Sequence, residues 1–293
     1  MGGAAPDRQF LQTVSAARTG RTGQGEQSFR DSVMTGSLLL RGMIVGFVAA
    51  LLSFGFLKLV GEPAVDRAIA FETQNDEAKA KAGRDEAIAQ GLPAPQEAAG
   101  PELVSRAVQG GLGLFTGVAV YSVAFGGLFA LVYALAYGRM GDFSPRATAA
   151  LIAVSGFVAL YVVPNLKYPA NPPSVGNPDT IGMRTALYFV MMLLSLAAMI
   201  AAWSVRNRLL PLHGAWNATL IAGAAYIVAV VLLALAMPPL NEVPDGFPAV
   251  VLWQFRVASL GAQAIMWTVI GLGFGALVER ELSQRQSARL RPA

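Results

Sequence analysis

The residues of this chain that could bind a ligand are mainly carboxylates and amides in three polar stretches, 61–109, 163–185 and 241–248. Carboxylate oxygens are good ligands for hard divalent cations, so acids in these stretches could concentrate such an ion and pass it on. The candidate metal-binding residues are Glu62, Asp66, Glu72, Asp179 and Glu242.

The stretch 163–185 contains Pro164, Pro169, Pro172, Pro173 and Pro178. Proline has no N–H and disfavours a helical residue before it, which predicts an extended backbone without a helix. Its free carbonyls and asparagines could receive a hydrated cation. The alternative, which sequence alone favours, is a stiff connector in which Asp179 or Thr180 caps the next helix. Four structural or gating candidates lie here, namely Asn165, Lys167, Asn171 and Arg184.

Arg256 is a further gating candidate, because it lies inside an apolar segment near one end. A charge at such a position in a membrane is costly and therefore indicates a functional site. Alternatively, the side chain extends to the membrane interface. We expect the guanidinium to pair with one of three acids, Glu242, Asp179 or Glu72.

The composition argues against several kinds of chemistry. The chain has no cysteine, which excludes disulfides and thiolate sites, and its single histidine argues against a zinc hydrolase. No nucleophile–base pair or phosphate-binding loop is present, so we predict no enzymatic activity and no cofactor. The net charge is +4, but the basic residues flank apolar segments instead of forming one polar face, which argues against nucleic-acid binding.

The elements that must position these residues are membrane-spanning helices. Hydrophobic residues make up 54% of the chain and charged residues only 14%, against about a quarter in soluble domains. Six charge-poor segments are long enough for a helix of roughly 20 residues to cross the bilayer. We predict an all-α polytopic helix bundle with spans at about 38–60, 112–137, 147–166, 184–204, 215–237 and 254–277.

Lysine and arginine are enriched at the N-terminus, in two short connections and in the tail, which predicts that both termini are cytoplasmic. Residues 1–36 are polar without apolar periodicity, which predicts a disordered cytoplasmic extension. Residues 283–293 would form a cytoplasmic tail. Residues 61–109 would form one long external loop, with a solvated helix over 72–90 that ends in the segment 91–101.

Glycines four residues apart allow two membrane helices to approach closely. Such pairs predict tight packing within the bundle or against a partner helix, including another copy of the chain. The pairs are Gly42 with Gly46, Gly113 with Gly117, and Gly271 with Gly275.

Several strings closely resemble the CbtA family of proposed membrane subunits of a cobalt transporter. The most specific are Leu166-Lys-Tyr-Pro-Ala-Asn-Pro-Pro173 and Asn241-Glu-Val-Pro-Asp-Gly-Phe-Pro248. Similar strings lie at 61–72, 102–109, 179–182 and 216–218, and the resemblance covers about residues 36–282.

The resemblance implies Co(II) uptake linked to cobalamin synthesis across a bacterial cytoplasmic membrane. It also implies a small single-span partner, CbtB, with a histidine-rich end. Many relatives carry a histidine-bearing stretch before the string at 102–109, whereas residues 96–101 here contain none. The partner could supply imidazoles, carboxylates and amides could suffice, or the substrate could differ. The alternatives are a carrier of another solute, such as nickel, and a scaffold subunit that transports nothing.

Overall fold

The structure is a computed structural model that describes residues 36–93 and 104–289. Within these residues it contains helices and no strand, which confirms the all-α prediction. The predicted disordered extension falls almost entirely outside the described residues. Most of the predicted break at 91–101 also lies outside them.

In the described part of the chain, five helices are long and apolar enough to cross a membrane. The first three, which we label α1, α2 and α3, are Gly36–Ala89, Arg106–Ala136 and Pro145–Lys167. A turn of 3-10 helix, Pro178–Thr180, leads into the fourth, Ile181–Ala236. The last helix is Ala249–Arg289.

The fourth helix consists of two arms that fold back on each other at Gly214, where φ is 72° and ψ is 167°. The hydroxyls of Ser195 and Tyr226, 31 residues apart, lie within 2.9 Å. In a straight helix these residues would be about 46 Å apart at about 1.5 Å per residue. We label the arms α4 (181–213) and α5 (215–236), and the last helix α6. With α4 and α5 counted separately, the described residues contain six apolar helical segments.

Helix α1 continues well beyond the predicted end of its span. A π-helical segment, Leu57–Gly61, joins it to the polar helix Glu62–Ala89, which begins with Pro63 near its N-terminus. The wider π turn directly precedes the proline, whose missing N–H would otherwise interrupt the backbone ladder. The predicted loop helix therefore starts at residue 62 instead of 72, as an extension of the span. It ends near Gly91, whose φ of +67° suits glycine.

The prediction that 163–185 contains no helix is wrong at both ends of the stretch, since Pro178–Thr180 and the first residues of α4 are helical as well. Helix α3 runs through Pro164 to Lys167, and a π-helical segment, Val158–Val162, lies directly before the proline. This longer turn shifts the hydrogen-bond ladder and accommodates a residue without an N–H. The extended backbone begins only after Lys167.

Two of the three glycine pairs lie where helices touch. Gly42 and Gly46 of α1 pack on α2, where an added Cβ would overlap the carbonyls of Gly126 and Ser122. In α6, a Cβ on Gly271 would overlap the Cβ of Ala153, and one on Gly275 would lie 3.0 Å from the Cβ of Ala149. These crossings bring α1 onto α2 and α6 onto α3. The main core lies among these helices and includes Phe129, Ile152, Trp267, Ile270 and Phe274.

The third pair does not pack on another helix of the described chain. A Cβ on Gly117 would meet no atom within 4 Å, and one on Gly113 would meet only atoms of Val108, in the same helix. Large apolar side chains near this pair are exposed, with 69% exposure for Leu112 and 66% for Val120. This face of α2 is therefore open to lipid or to a partner.

The connections gather at two opposite ends of the bundle. At one end, Phe71 of α1 packs edge-to-face on Phe247, with ring centroids 5.1 Å apart, and Val175 lies in the same cluster. At the other end, Arg41 and Arg146 form ion pairs with Glu281 and Glu279. This grouping is the one that the six-span prediction requires. We call the first end the outer end, after the predicted orientation, which itself stays a prediction.

Candidate functional site

A cavity of about 490 Å³ opens at the outer end, between α3, α4, α6 and the connections that precede α4 and α6. Its walls combine aromatic rings with amides, hydroxyls and charged groups. The polar lining residues are Tyr161, Asn165, Tyr168, Asn171, Arg184, Thr185, Tyr188, Asn241, Glu242 and Arg256.

Arg256 contributes a positive charge to this cavity and does not pair with an acid as expected. Its Nε donates to the carbonyl of Ala170 over 3.3 Å, and one Nη donates to Oδ1 of Asn171 over 2.9 Å. Among the described residues, no carboxylate lies within 4.0 Å of the guanidinium. The expected partner was wrong because the extended chain after Tyr168 crosses α6 and presents neutral acceptors there.

Asn165 fixes the loop that carries those acceptors. Its Oδ1 accepts the N–H of Ala170 over 3.0 Å, which ties the end of α3 to the loop. Tyr168 is buried, and its hydroxyl donates to the carbonyl of Pro238 over 2.9 Å. The two asparagine amides and this tyrosine therefore hold the cavity wall opposite α6.

Glu242 is held by three contacts, two from the turn before α4 and one from the first turn of α4. It accepts the Thr180 hydroxyl over 2.6 Å and the Asn177 N–H over 2.8 Å, and it lies 3.3 Å from Nε of Arg184. The hydrogen bonds from Thr180 and Asn177, assisted by the charge of Arg184, lower the pKa of the Glu242 carboxyl against the opposing effect of desolvation. This carboxylate therefore stays ionised and joins the two connections.

Asn177 caps the 3-10 turn, and Thr180 occupies the N-cap position of α4, which is one of the two predicted positions, although its side chain makes no capping hydrogen bond there. The side-chain oxygen of Asn177 accepts the N–H of Asp179 over 3.0 Å. Thr180 instead directs its hydroxyl to Glu242 and to the carbonyl of Asn177. Gly176 has a φ of +120°, and a Cβ there would overlap the guanidinium of Arg184. Glycine is therefore needed where the loop crosses this arginine.

Glu62 and Asp66 lie in a different cluster, between α1 and the start of α2. One Nη of Arg106 lies 2.8 Å from Oε2 of Glu62 and 3.0 Å from Oδ1 of Asp66. Lys58 lies 3.8 Å from Glu62 and donates to the carbonyl of Gly110 over 2.8 Å. This cluster holds α1 against α2 beside two π-helical segments, Leu57–Gly61 of α1 and Gln109–Gly113 of α2.

The five candidate acids do not converge on one point. Glu62 and Asp66 share Arg106, Glu242 lines the cavity, and Glu72 and Asp179 are exposed. Within 36–93 and 104–289, no three His, Asp or Glu residues are grouped so as to hold a metal ion. Their role as metal ligands stays a prediction.

Of the gating candidates, Asn165, Asn171, Arg184 and Arg256 line the cavity. Lys167 is not among the lining residues, and its Nζ lies 5.9 Å from the ring centroid of Tyr168.

The tyrosines of the cavity were not among the predicted site residues. The hydroxyl of Tyr161 hydrogen-bonds that of Ser259 across α3 and α6 at 2.7 Å, and Tyr188 lines the wall from α4. Tyr161, Asn165 and Tyr168 are spaced i, i+4, i+7, which is the signature of one helix face. The sequence does not predict a helix face from this spacing, because Pro164 lies within it and proline argues against a helix.

Towards the opposite end, apolar packing fills the interface between α3 and α6. The indole of Trp267 packs edge-to-face on Phe125 with centroids 5.3 Å apart, and it lies directly against Gly156 of α3. Ile152, Ile270 and Phe274 continue this packing. The polar cavity is thus separated from the inner end by a layer of aromatic and aliphatic side chains.

Comparison with known proteins identifies one family. The family model CbtA, described as a probable cobalt transporter subunit, matches residues 35–279. No curated protein and no solved structure matches the chain. The match covers most of the chain, including all six apolar segments and every residue of the cavity. The chain therefore belongs to the CbtA family of probable cobalt transporter subunits.

Proposed function

We propose that this chain is the membrane-embedded subunit that carries Co(II) across the bacterial cytoplasmic membrane for cobalamin synthesis. The observation that carries the proposal is the family match over 35–279. The geometry supports it, because a polar cavity lies inside the bundle at the predicted outer end. Membrane transporters commonly bind their cargo in such cavities between helices, where irregular backbone lines the site.

The proposed complex includes a small single-span subunit of the CbtB kind. The open face of α2 around Gly117 supports a partner, because a glycine without a neighbour leaves room for another helix. A second copy of the chain could use the same face. The partner's histidines would supply the imidazoles that residues 96–101 of this chain lack.

Cobalt uptake in a deletion strain tests the proposal. Cells that lack the gene should accumulate less radiolabelled Co(II) at limiting concentration, and the wild-type chain expressed with its partner should restore accumulation. Growth that depends on cobalamin should follow the same pattern. Nickel uptake is measured in parallel. Unchanged Co(II) accumulation in the deletion strain would exclude cobalt as the cargo.

The second candidate is a scaffold subunit that transports nothing. This candidate is favoured by the ion pairs of Glu62 with Arg106 and of Glu242 with Arg184, because these two carboxylates already have arginine partners. If the chain is a scaffold, cells that express Glu72→Gln, Asp179→Asn or Glu242→Gln should keep the wild-type phenotype. Cells that express Gly271→Leu should lose the wild-type phenotype, because a side chain there would separate α6 from α3. A transporter that uses the acids should show reduced uptake in the first three variants while its protein level stays constant.

A further inference from the structure

We infer that the outer cavity binds its cargo through a carboxylate group that pairs with Arg256, so that a metal ion would enter as an anionic carboxylate complex. This inference rests on the proposed function and specifies the chemical form of the cargo. The same recognition would serve a free carboxylate, since both present the same oxygen atoms to the guanidinium.

The charges around the cavity favour an anion over a bare cation. Three charged side chains line it, namely Arg184, Glu242 and Arg256. The charge of Glu242 is already balanced by Arg184 at 3.3 Å, and its oxygens also accept two hydrogen bonds. Among the described residues that line the cavity, Arg256 is therefore the charged group without an ion-pair partner. A divalent cation beside it would be repelled, and the repulsion is stronger in the low dielectric of a membrane protein than in water.

Arg256 also has the geometry for a carboxylate. A guanidinium carries five N–H donors in a planar fork that matches two carboxylate oxygens. The described hydrogen bonds of Arg256 go to two neutral oxygens, those of Ala170 and Asn171. Charge-assisted bidentate pairs are the strongest hydrogen bonds that arginine forms. An anionic ligand would thus supply the counter-ion that the described part of the chain does not provide at this position.

The other lining groups and the size of the cavity fit a small organic ligand. Its volume of about 490 Å³ lies within the range of about 300–1,000 Å³ that is typical of small-molecule sites. The hydroxyls of Tyr161 and Tyr188 and the amides of Asn165 and Asn171 can donate hydrogen bonds to further ligand oxygens. No cluster of three acidic or imidazole ligands surrounds the cavity within the described residues.

Calorimetric binding to the purified full chain in nanodiscs tests the inference with three probes: citrate alone, CoCl₂ alone, and CoCl₂ with excess citrate. Citrate or its cobalt complex should bind, and Arg256→Gln should weaken that binding about tenfold or more. Arg256→Lys should bind with intermediate affinity, because it keeps the charge and loses the fork. The matched control is Arg67→Gln, since Arg67 is an exposed arginine at the same end whose Nε bonds the carbonyl of Pro63.

Binding of citrate alone would indicate a carboxylate carrier, and preferential binding of the cobalt complex would indicate a chelate carrier; either result supports the site at Arg256. Binding of CoCl₂ alone with equal affinity by wild type and Arg256→Gln, or binding of none of the probes, would overturn it. Size-exclusion profiles and thermal unfolding establish that each variant is folded. An Arg256→Lys protein that is folded and yet binds like wild type would also count against the bidentate geometry.

Uptake in cells separates this inference from the proposed function. If Arg256→Gln cells accumulate labelled cobalt as wild-type cells do, the carboxylate site is wrong and cobalt transport stands. If wild-type cells accumulate no cobalt while the purified chain binds citrate through Arg256, cobalt transport is wrong and the carboxylate site stands.

Discussion

At the scale of single residues, Glu242 links the two connections that border the cavity. Its two oxygens accept from Thr180 and Asn177, and Arg184 lies beside it. These partners stabilise the ionised carboxyl and lower its pKa, with Thr180 as the largest contribution. The side chain therefore stabilises the folded chain only while it carries its charge.

Replacing Glu242 with glutamine should lower the melting temperature at neutral pH, because the ion pair and the charged acceptor are lost. The pKa of Glu242 is lower in the folded state than in the unfolded state, so the stabilisation is present above the ordinary pKa of about 4.3 and is lost as the pH falls through the lower, folded value. The difference in melting temperature between wild type and Glu242→Gln should narrow as the pH drops below about 4. Thermal unfolding in detergent from pH 3 to 7 measures this difference.

The control for this measurement is Glu77→Gln, because Glu77 is exposed on the polar part of α1. Its melting temperature should match that of wild type throughout. A gap between Glu242→Gln and wild type that stays constant down to pH 3 would contradict the linkage.

Some polar residues of the cavity could be named from sequence, but its tyrosines and the partners of the named residues could not. Arg256, Asn165, Asn171 and Glu242 stood out because polar groups beside apolar spans are unusual. The bond from Arg256 to Asn171 spans 85 residues, and that from Glu242 to Thr180 spans 62. Such pairs depend on how two connections fold over the bundle end. Charge alone suggested an acid as the partner of Arg256, whereas the extended backbone after α3 places neutral oxygens there.

At the scale of the helices, the close crossing of α1 and α2 depends on the absence of side chains. Gly42 and Gly46 face Gly126 and Ser122 so closely that a Cβ would overlap the opposing carbonyls. Gly126 was not singled out from sequence, because the residues four positions away from it are Ser122 and Ala130 instead of glycine. Small residues at such a contact allow the backbones to approach and gain dispersion energy along the crossing.

Replacing Gly46 with leucine should destabilise the chain by about 1–3 kcal/mol or more, because the new side chain forces α1 away from α2. Gly117→Leu is the matched control, since it adds the same side chain at a glycine whose Cβ would meet nothing within 4 Å. The isolated Gly117→Leu chain should unfold at the wild-type temperature or slightly above it, since leucine favours a helix more than glycine does. Thermal scanning of both purified variants makes the comparison.

Co-purification with the partner subunit tests Gly117→Leu for a loss that its melting temperature should not show. If the open face of α2 receives a partner helix, Gly117→Leu should lose the partner although the chain itself stays stable. Equal melting temperatures of Gly46→Leu and Gly117→Leu would show that the crossing of α1 and α2 does not depend on Gly46.

The ends of the helices were harder to predict than their existence. Charge-free runs predict six apolar segments, because a span needs a continuous apolar length. The π-helical segments Leu57–Gly61 and Val158–Val162 then carry two helices past prolines that normally end them. No residue pattern marks such a turn in advance, so α1 and α3 extend beyond the ends that proline and charge indicate.

At the scale of the whole molecule, the structure sorts the connections into two groups that lie at opposite ends. One group includes the polar part of α1 and the loops around Val175 and Phe247. The other includes the turn at Gly214 and the arginines that pair with Glu279 and Glu281. An excess of arginine in short connections favours the cytoplasmic side. The cavity should accordingly open on the outside.

Cysteine labelling tests this orientation directly, because the natural chain has no cysteine. Asp245→Cys places a thiol on an exposed residue at the outer end, and His213→Cys places one on the exposed turn between α4 and α5. A membrane-impermeant maleimide should modify Asp245→Cys in intact spheroplasts. It should modify His213→Cys only after the membrane is permeabilised.

The cysteine-free parent and a denatured sample of each variant give the background and the maximum labelling. Labelling of His213→Cys alone in intact spheroplasts would show that the bundle has the opposite orientation in the membrane. The cavity would then face the cytoplasm as a release site. Labelling of both positions would mean that α5 does not cross the membrane. The expected pattern requires that α4 and α5 each cross once, which follows from the antiparallel contact of Ser195 with Tyr226. Orientation therefore decides whether the carboxylate site at Arg256 serves capture or release.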